Sequence, residues 1–145
     1  MLDIQAAIGI HQLTRLPEFV ARRAQIAARY REALAELPGV LVPPEAPPDS
    51  RHSWHLFVVK ILPEVVSGSR DEFRAQLKAR NIGTGLHFRA VHLHPYFARV
   101  LPYPTGSLPN AEWASDRVVS LPLFPLMSDE DVEDVVTAIR EIVVR

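Results

Sequence analysis

The residues best suited to chemistry are concentrated in one segment, residues 81–97, which carries three of the six histidines of the chain. His87, His92 and His94 could supply three imidazoles to a zinc or iron ion, and such a set would leave one position open for water. No carboxylate lies between Gly83 and Leu101, so the acidic partner that metal-bound imidazoles usually have must come from elsewhere. A histidine metal site is therefore one hypothesis for this segment.

A second hypothesis makes the same segment a ligand contact. Imidazole and guanidinium groups donate hydrogen bonds to phosphate, carboxylate and sugar oxygens, so His87, Arg89 and His92 could bind an anionic or hydroxyl-rich molecule. In the structural alternative, these side chains only cap loops and line the surface. The residue types alone leave the three interpretations open.

The segment begins with an alternating pattern that predicts a strand over residues 82–88. Ile82 and Leu86 would point to one face, whereas Gly83, Gly85 and His87 would point to the other. A face lined by glycine and ending in histidine indicates that another group approaches the backbone closely.

Composition limits the classes of protein to which the chain can belong. A chain of 145 residues with 48% hydrophobic residues can form one domain with its own core, so we predict a single domain over residues 1–145. A net charge of -1 argues against a nucleic-acid partner, and there is no cysteine for disulfides or thiolate sites. Without a basic leader or an apolar run of about 20 residues, the default expectation is a soluble cytoplasmic protein with no membrane contact.

The elements that must hold the histidine segment are a set of helices and short strands. The hydrophobic periodicities and the capping sequences at Ser69 and Ser128 predict the elements in chain order. They are a helix over residues 3–37 with a break or kink at Pro17, strands over 40–42 and 52–62, a helix after Ser69, the strand over 82–88, a short helical turn within 95–101, a helix over 110–119, a strand over 119–123 and a final helix after Ser128. This order favours an α/β or α+β sandwich in which helices cover a small, mainly antiparallel sheet. His55, within the second strand, is expected to be a hydrogen-bonded histidine in or near the core.

The first helix has an unusual beginning. Residues 4–10 are apolar on nearly all sides apart from Gln5, which indicates either burial within the chain or a partner beyond it. For the remainder of this helix we expect burial against the chain's own core.

No complete catalytic set can be found among the remaining residues. Gly83 and Gly85 lack the third glycine of a dinucleotide-binding loop, and neither Lys60 nor Lys78 has the sequence context of a buried nucleophile. Residue chemistry by itself therefore predicts a small domain that contacts a ligand.

Three stretches taken together resemble a known family. Residues 1–9 (MLDIQAAIG), 82–90 (IGTGLHFRA) and 111–125, from Ala-Glu-Trp to Ser-Leu-Pro-Leu-Phe-Pro, are similar to the C-terminal part of DegT/DnrJ-type aminotransferases. These pyridoxal-phosphate-dependent enzymes aminate keto-sugars on nucleotide carriers. The second and third stretches are especially similar to members that make UDP-4-amino-4-deoxy-L-arabinose for lipid A modification, whereas residues 92–96 have the general family form.

The resemblance implies that residues 1–145 form the small C-terminal domain of a fold type I aminotransferase, with residues 1–37 as a long linking helix. The complete enzyme would transfer an amino group from glutamate to a nucleotide-linked 4-keto-sugar in polysaccharide or lipid A biosynthesis. Thr84, His87, Arg89 and His92 would lie on the substrate side of the cleft. The lysine, the aspartate and the aromatic ring that hold pyridoxal phosphate belong to a large domain that is absent from this chain.

We therefore expect the isolated chain to bind no pyridoxal phosphate and to be inactive. Its first helix is expected to contact the large domain or a partner subunit, and its uncovered surface predicts self-association into a homo-oligomer. The alternative is a non-catalytic assembly module that pairs with a separate large subunit.

Overall fold

The computed structural model describes residues 1–66 and 68–144, and it contains helices on a small antiparallel sheet. In chain order the elements are α1 (Asp3–Leu34), β1 (Val40–Leu41), β2 (Phe57–Ile61), α2 (Pro63–Val66), α3 (Arg70–Ala79), a 3-10 turn (Val91–Leu93), α4 (Phe97–Val100), α5 (Pro109–Ser115), β3 (Val118–Leu121) and α6 (Asp129–Val143). The predicted fold class, a small mainly antiparallel sheet covered by helices, is confirmed.

The sheet has the strand order β1-β2-β3, and both pairings are antiparallel. Phe57, Val59 and Ile61 are fully buried, because alternate residues of β2 point towards the helices. The other face of the sheet carries Val58 of β2 and, directly opposite it in the register, Ser120 of β3. The histidine segment meets the sheet here, because Gly85 pairs with Ser120 at the β3 edge and His87 contacts the Ser120 side chain.

The helices bury their apolar stripes against the first face. α6 contacts both α1 and α3, and its buried residues follow the helical period from Val132 to Val143. The predicted caps are present: the Ser69 side chain accepts a hydrogen bond from the Glu72 amide, and the Ser128 side chain accepts one from the Asp131 amide. These caps set the start of α3 and α6.

The long first helix differs from the prediction at two points. Of the break or kink predicted at Pro17, the break is absent, because the helix runs without interruption from Asp3 to Leu34 and includes Pro17. Pro17 lies in the exposed part of the helix, where water can satisfy the carbonyl that loses its partner. The helix ends three residues earlier than predicted, since Pro38 disfavours helical geometry at the preceding residue and Gly39 turns the chain with a φ of 75°.

The predicted strand over residues 52–62 is shorter than expected, because only Phe57–Ile61 pairs with its neighbours. Trp54 has a left-handed φ of 48°, and its amide donates a 2.8 Å hydrogen bond to His52 Nδ1. This local turn interrupts the extended run. His55 is exposed, so the prediction that it lies in or near the core was wrong.

The predicted strand over residues 82–88 is also wrong, since only Gly85 pairs with the sheet. The Gly85 amide donates to the Ser120 carbonyl at 2.9 Å, and the Ser120 amide donates back at 3.0 Å. The Ile82 amide instead bonds to the carbonyl of Leu77 at the end of α3, and the Ala90 amide bonds to the Ser115 hydroxyl. On both sides of the single bridge, the backbone amides thus form hydrogen bonds with groups outside the sheet.

The first half of α1 carries an uncovered apolar surface. The large apolar residues Met1, Leu2, Ile4, Ile8, Ile10, Leu13 and Leu16 are all exposed. Ile8, for example, is 60% exposed, whereas fully buried residues of α1 begin only at Ile26. The expected self-burial after the first two turns was therefore wrong for Leu13 and Leu16. Within the described part of the chain, no helix combines the length and the apolar character needed to cross a membrane.

Candidate functional site

His87 is fixed against the second face of the sheet. Its Nδ1 atom forms a 2.8 Å hydrogen bond with the hydroxyl of Ser120, which is buried. The ring also lies directly over Gly85, where a methyl carbon, if the residue carried one, would come within 2.5 Å of His87 Cε1. The close approach that the glycine pattern predicted is thus made by the histidine itself. Beside it, Phe88 is 74% exposed and packs edge-on against the imidazole.

His92 is buried and is held by a half-buried carboxylate instead of facing open solvent. It is only 4% exposed, and its Nε2 atom lies 3.0 Å from Glu112 Oε1. Glu112 also accepts hydrogen bonds from the amides of Gly106 and Leu108, at 2.8 and 3.2 Å. The Gly106 hydrogen bond, followed by the one from His92, lowers the pKa of Glu112 below its ordinary range. Ionised Glu112 therefore ties the histidine segment to the loop over residues 101–108.

Sequence reasoning missed the role of Glu112. The residue falls inside one of the three stretches that resemble the family, but its position in the chain gives no sign that it meets His92, twenty residues away. One signal was available in the sequence. Residues 83–101 contain no carboxylate, so any acidic partner of these histidines had to come from another part of the chain.

Thr84 and Arg89 belong to a neighbouring cleft of about 980 Å³ between α3 and residues 82–93. The Thr84 hydroxyl accepts a 3.2 Å hydrogen bond from Arg74 Nε, which orients the guanidinium group along the cleft. His87 and His92 do not line this cleft. The structure therefore brings Thr84 and Arg89 together in one cleft and leaves His87 and His92 outside it, and the contact of all four residues with substrate stays a prediction.

The three histidines do not converge on a common point. His87 turns to Ser120 and His92 turns to Glu112, so their ring nitrogens have different partners. Across residues 1–66 and 68–144, no three histidine or acidic side chains are grouped closely enough to hold a metal ion. The geometry of these residues does not support the metal hypothesis.

The residues present do not form a site for pyridoxal phosphate. That cofactor requires a lysine placed beside its ring and a carboxylate facing the pyridine nitrogen. Lys78 lies exposed on α3 and Lys60 is half-buried in β2. Neither lysine has an acidic partner among the described residues. A reaction step through this cofactor therefore cannot be derived from the residues of this chain.

The chain is similar to several known proteins. The chain is 45% identical over 144 residues to the spore coat polysaccharide biosynthesis protein SpsC of Bacillus subtilis (strain 168), an alignment that covers 99% of this chain and 37% of SpsC. Among solved structures, the fold matches DesV of S. venezuelae in complex with a ketimine intermediate, with a TM-score of 0.86 and 40% identity over 97% of this chain and 36% of DesV. It also matches the aminotransferase TlmJ of Streptoalloteichus hindustanus, with a TM-score of 0.85 and 35% identity over 98% of this chain and 36% of TlmJ.

The chain thus spans little more than a third of the length of the relatives that it matches. One family model matches residues 1–140, a range that includes α1, the sheet, His87, His92 and most of α6. This protein chain belongs to the DegT/DnrJ/EryC1/StrS aminotransferase family.

Proposed function

We propose that this chain is the small C-terminal domain, residues 1–145, of a nucleotide-sugar aminotransferase. In the complete enzyme, an amino group would pass from glutamate to a 4-keto-sugar carried on a nucleotide. The observation that carries the proposal is the match to DesV, which extends over 97% of this chain but only 36% of that enzyme. The lysine and cofactor would accordingly lie in the part of such an enzyme that this chain does not match.

Within this function, the chain supplies a wall of the substrate cleft and not the reacting group. His87 is held by Ser120 and is half-buried beside the exposed Phe88, so the two side chains present an imidazole edge and an aromatic ring to one side of the sheet. Groups held in this way can orient a sugar or nucleotide without rearranging when substrate binds. The similarity of residues 82–90 to enzymes of amino-arabinose synthesis makes a UDP-linked 4-keto-pentose the first substrate to test.

The uncovered apolar surface of α1 supports the proposal that this helix contacts another domain or subunit. Ile4, Ile8 and Leu13 are all more than half exposed, so this helix presents an apolar face larger than scattered surface residues provide. We propose that a large cofactor-binding domain, or a second copy of the chain in its absence, covers this face. A non-catalytic assembly module that pairs with a separate large subunit would use the same surface.

The test supplies the unmatched part of the enzyme. This chain is co-expressed with the portion of SpsC that it does not match, and amino transfer from ¹⁵N-labelled glutamate to the keto-sugar is followed by mass spectrometry. We expect a complex that binds pyridoxal phosphate and turns over, whereas the isolated chain does neither. A complex without turnover would favour the assembly module.

The refuting experiment uses the isolated chain. Incubation with pyridoxal phosphate followed by borohydride reduction would label Lys60 or Lys78 stoichiometrically if either lysine held the cofactor. Such labelling, together with amino transfer by the chain alone, would overturn the proposal that the reacting group lies elsewhere.

A further inference from the structure

We propose that the cleft between α3 and residues 82–93 is a binding site for a small organic phosphate, with the phosphate held by cationic side chains of α3 and Arg89. The cleft has a volume of about 980 Å³, which is sufficient for a small-molecule ligand. Binding here does not depend on the chain's activity within a larger enzyme, so it can be tested on the chain as it stands.

One wall of the cleft is a row of positive charges. Arg70, Arg74 and Lys78 follow one another at intervals of four residues, so they project from the same side of α3. Arg89 lines the opposite wall. A ligand between the two walls would therefore meet cationic groups from both sides.

The charges are only partly neutralised within the chain. Asp71 accepts from Arg70 Nε at 2.8 Å and lies 3.7 Å from Arg74 Nη1, and the Arg70 hydrogen bond lowers the pKa of Asp71. Asp116 is the second carboxylate in the lining. Neither Lys78 nor Arg89 forms an ion pair with any residue that the structure describes. Four cations thus face two carboxylates in this cleft, so an anion could add to it without displacing an existing ion pair.

The central cation is already oriented. Arg74 donates from Nε to the Thr84 hydroxyl at 3.2 Å and from Nη2 to the Thr84 carbonyl at 3.4 Å. A guanidinium group fixed in this way loses less side-chain freedom when it binds an anion. Arg70 is fixed similarly by a 2.6 Å hydrogen bond from Nη1 to the Ser115 carbonyl.

The floor of the cleft indicates the type of ligand. Ile82, Leu86 and Leu93 are half-buried there, so the site offers apolar contact beside the cations. This combination suits a phosphate group attached to a small organic body. A nucleic-acid polymer fits poorly, since the whole chain has a net charge of -1.

The test follows binding by NMR titration of the full chain, first with inorganic pyrophosphate and then with a phosphate monoester such as glycerol 3-phosphate. Saturable shifts should concentrate on the amides of α3 and residues 82–89, and binding should weaken as salt is added. Lys78→Gln and Arg89→Gln remove the two cations that form no ion pair within the described residues. Each should weaken pyrophosphate binding about two- to fivefold, the range that one exposed ion pair supplies, and the double variant should weaken it further.

Arg99→Gln is the matched control, because Arg99 is an exposed arginine on α4 outside the cleft. Its affinity for pyrophosphate should equal that of the parent chain. The proposal is overturned if no saturable shifts appear in the cleft, if the double variant binds as well as the parent, or if Arg99→Gln weakens binding as much as Lys78→Gln does.

Discussion

Replacing Gly85 by alanine should displace His87 while leaving the fold intact. A methyl carbon on Gly85 would lie 2.5 Å from His87 Cε1, and ordinary van der Waals contact begins at 3.4 Å. The ring must therefore move by roughly 0.9 Å, because the backbone bridge between Gly85 and Ser120 is less free to move than a side chain. This shift breaks or lengthens the 2.8 Å hydrogen bond between His87 and Ser120.

The expected change in stability is small because two terms oppose each other. Losing one hydrogen bond costs about 1 kcal/mol. Gly85 does not have a left-handed φ, so alanine there stabilises the fold by about 0.4–1 kcal/mol, because it lowers the conformational entropy of the unfolded chain. The free energy of unfolding of Gly85→Ala should thus stay within about 1 kcal/mol of the parent value. In a complete enzyme, a misplacement of about 1 Å could still cost roughly 100-fold in rate.

Gly83→Ala provides a matched control two residues away. No atom of the described residues lies within 4 Å of a methyl carbon at that position, so this variant should gain stability without moving His87. Urea unfolding measures the free energies, and long-range ¹H–¹⁵N spectra report the imidazole nitrogens of His87. The reasoning fails if the His87 signals are unchanged in Gly85→Ala, or if Gly83→Ala shifts them equally.

Three further predictions concern the supports around this site. Glu112→Gln should loosen residues 101–108. In the parent chain, the NMR shift of the Gly106 amide should titrate below the ordinary Glu pKa of 4.5. The stabilisation by ionised Glu112 is fully present above that value and is lost as pH falls through the lowered pKa. A Gly106 shift that does not depend on pH would contradict this. Tyr30→Phe removes the 2.9 Å hydrogen bond to the Pro122 carbonyl and should lower the free energy of unfolding by about 1–2 kcal/mol, measured in urea, with an unchanged midpoint as the contrary result. Ile8→Asp should leave that free energy within about 0.5 kcal/mol of the parent because Ile8 is exposed, and it should reduce self-association in sedimentation velocity; oligomers of undiminished size would count against the docking role of α1.

Much of the fold could be predicted because its signals are local. Ser69 and Ser128 mark helix starts through contacts only three residues away, and the stripe of α6 repeats with the helical period. The second face of the sheet was harder to predict. Trp54 and Gly85 both lie in segments whose sequence predicts a strand. A local turn at Trp54 shortens the first strand, and only Gly85 of the second segment pairs with the sheet. Alternation describes which side of a strand is apolar, but it cannot say whether a neighbouring strand is available to pair.

The sequence by itself determined the class of fold, the capped helices, the apolar character of the start of α1 and the segment in which chemistry is concentrated. All of these depend on residue type and short spacing. Only the tertiary structure decided what each histidine does, because His87 meets Ser120 and His92 meets Glu112 across separations of 33 and 20 residues. Hydrogen-bond partners so far apart in sequence depend on how the elements pack, and local sequence patterns do not predict that packing.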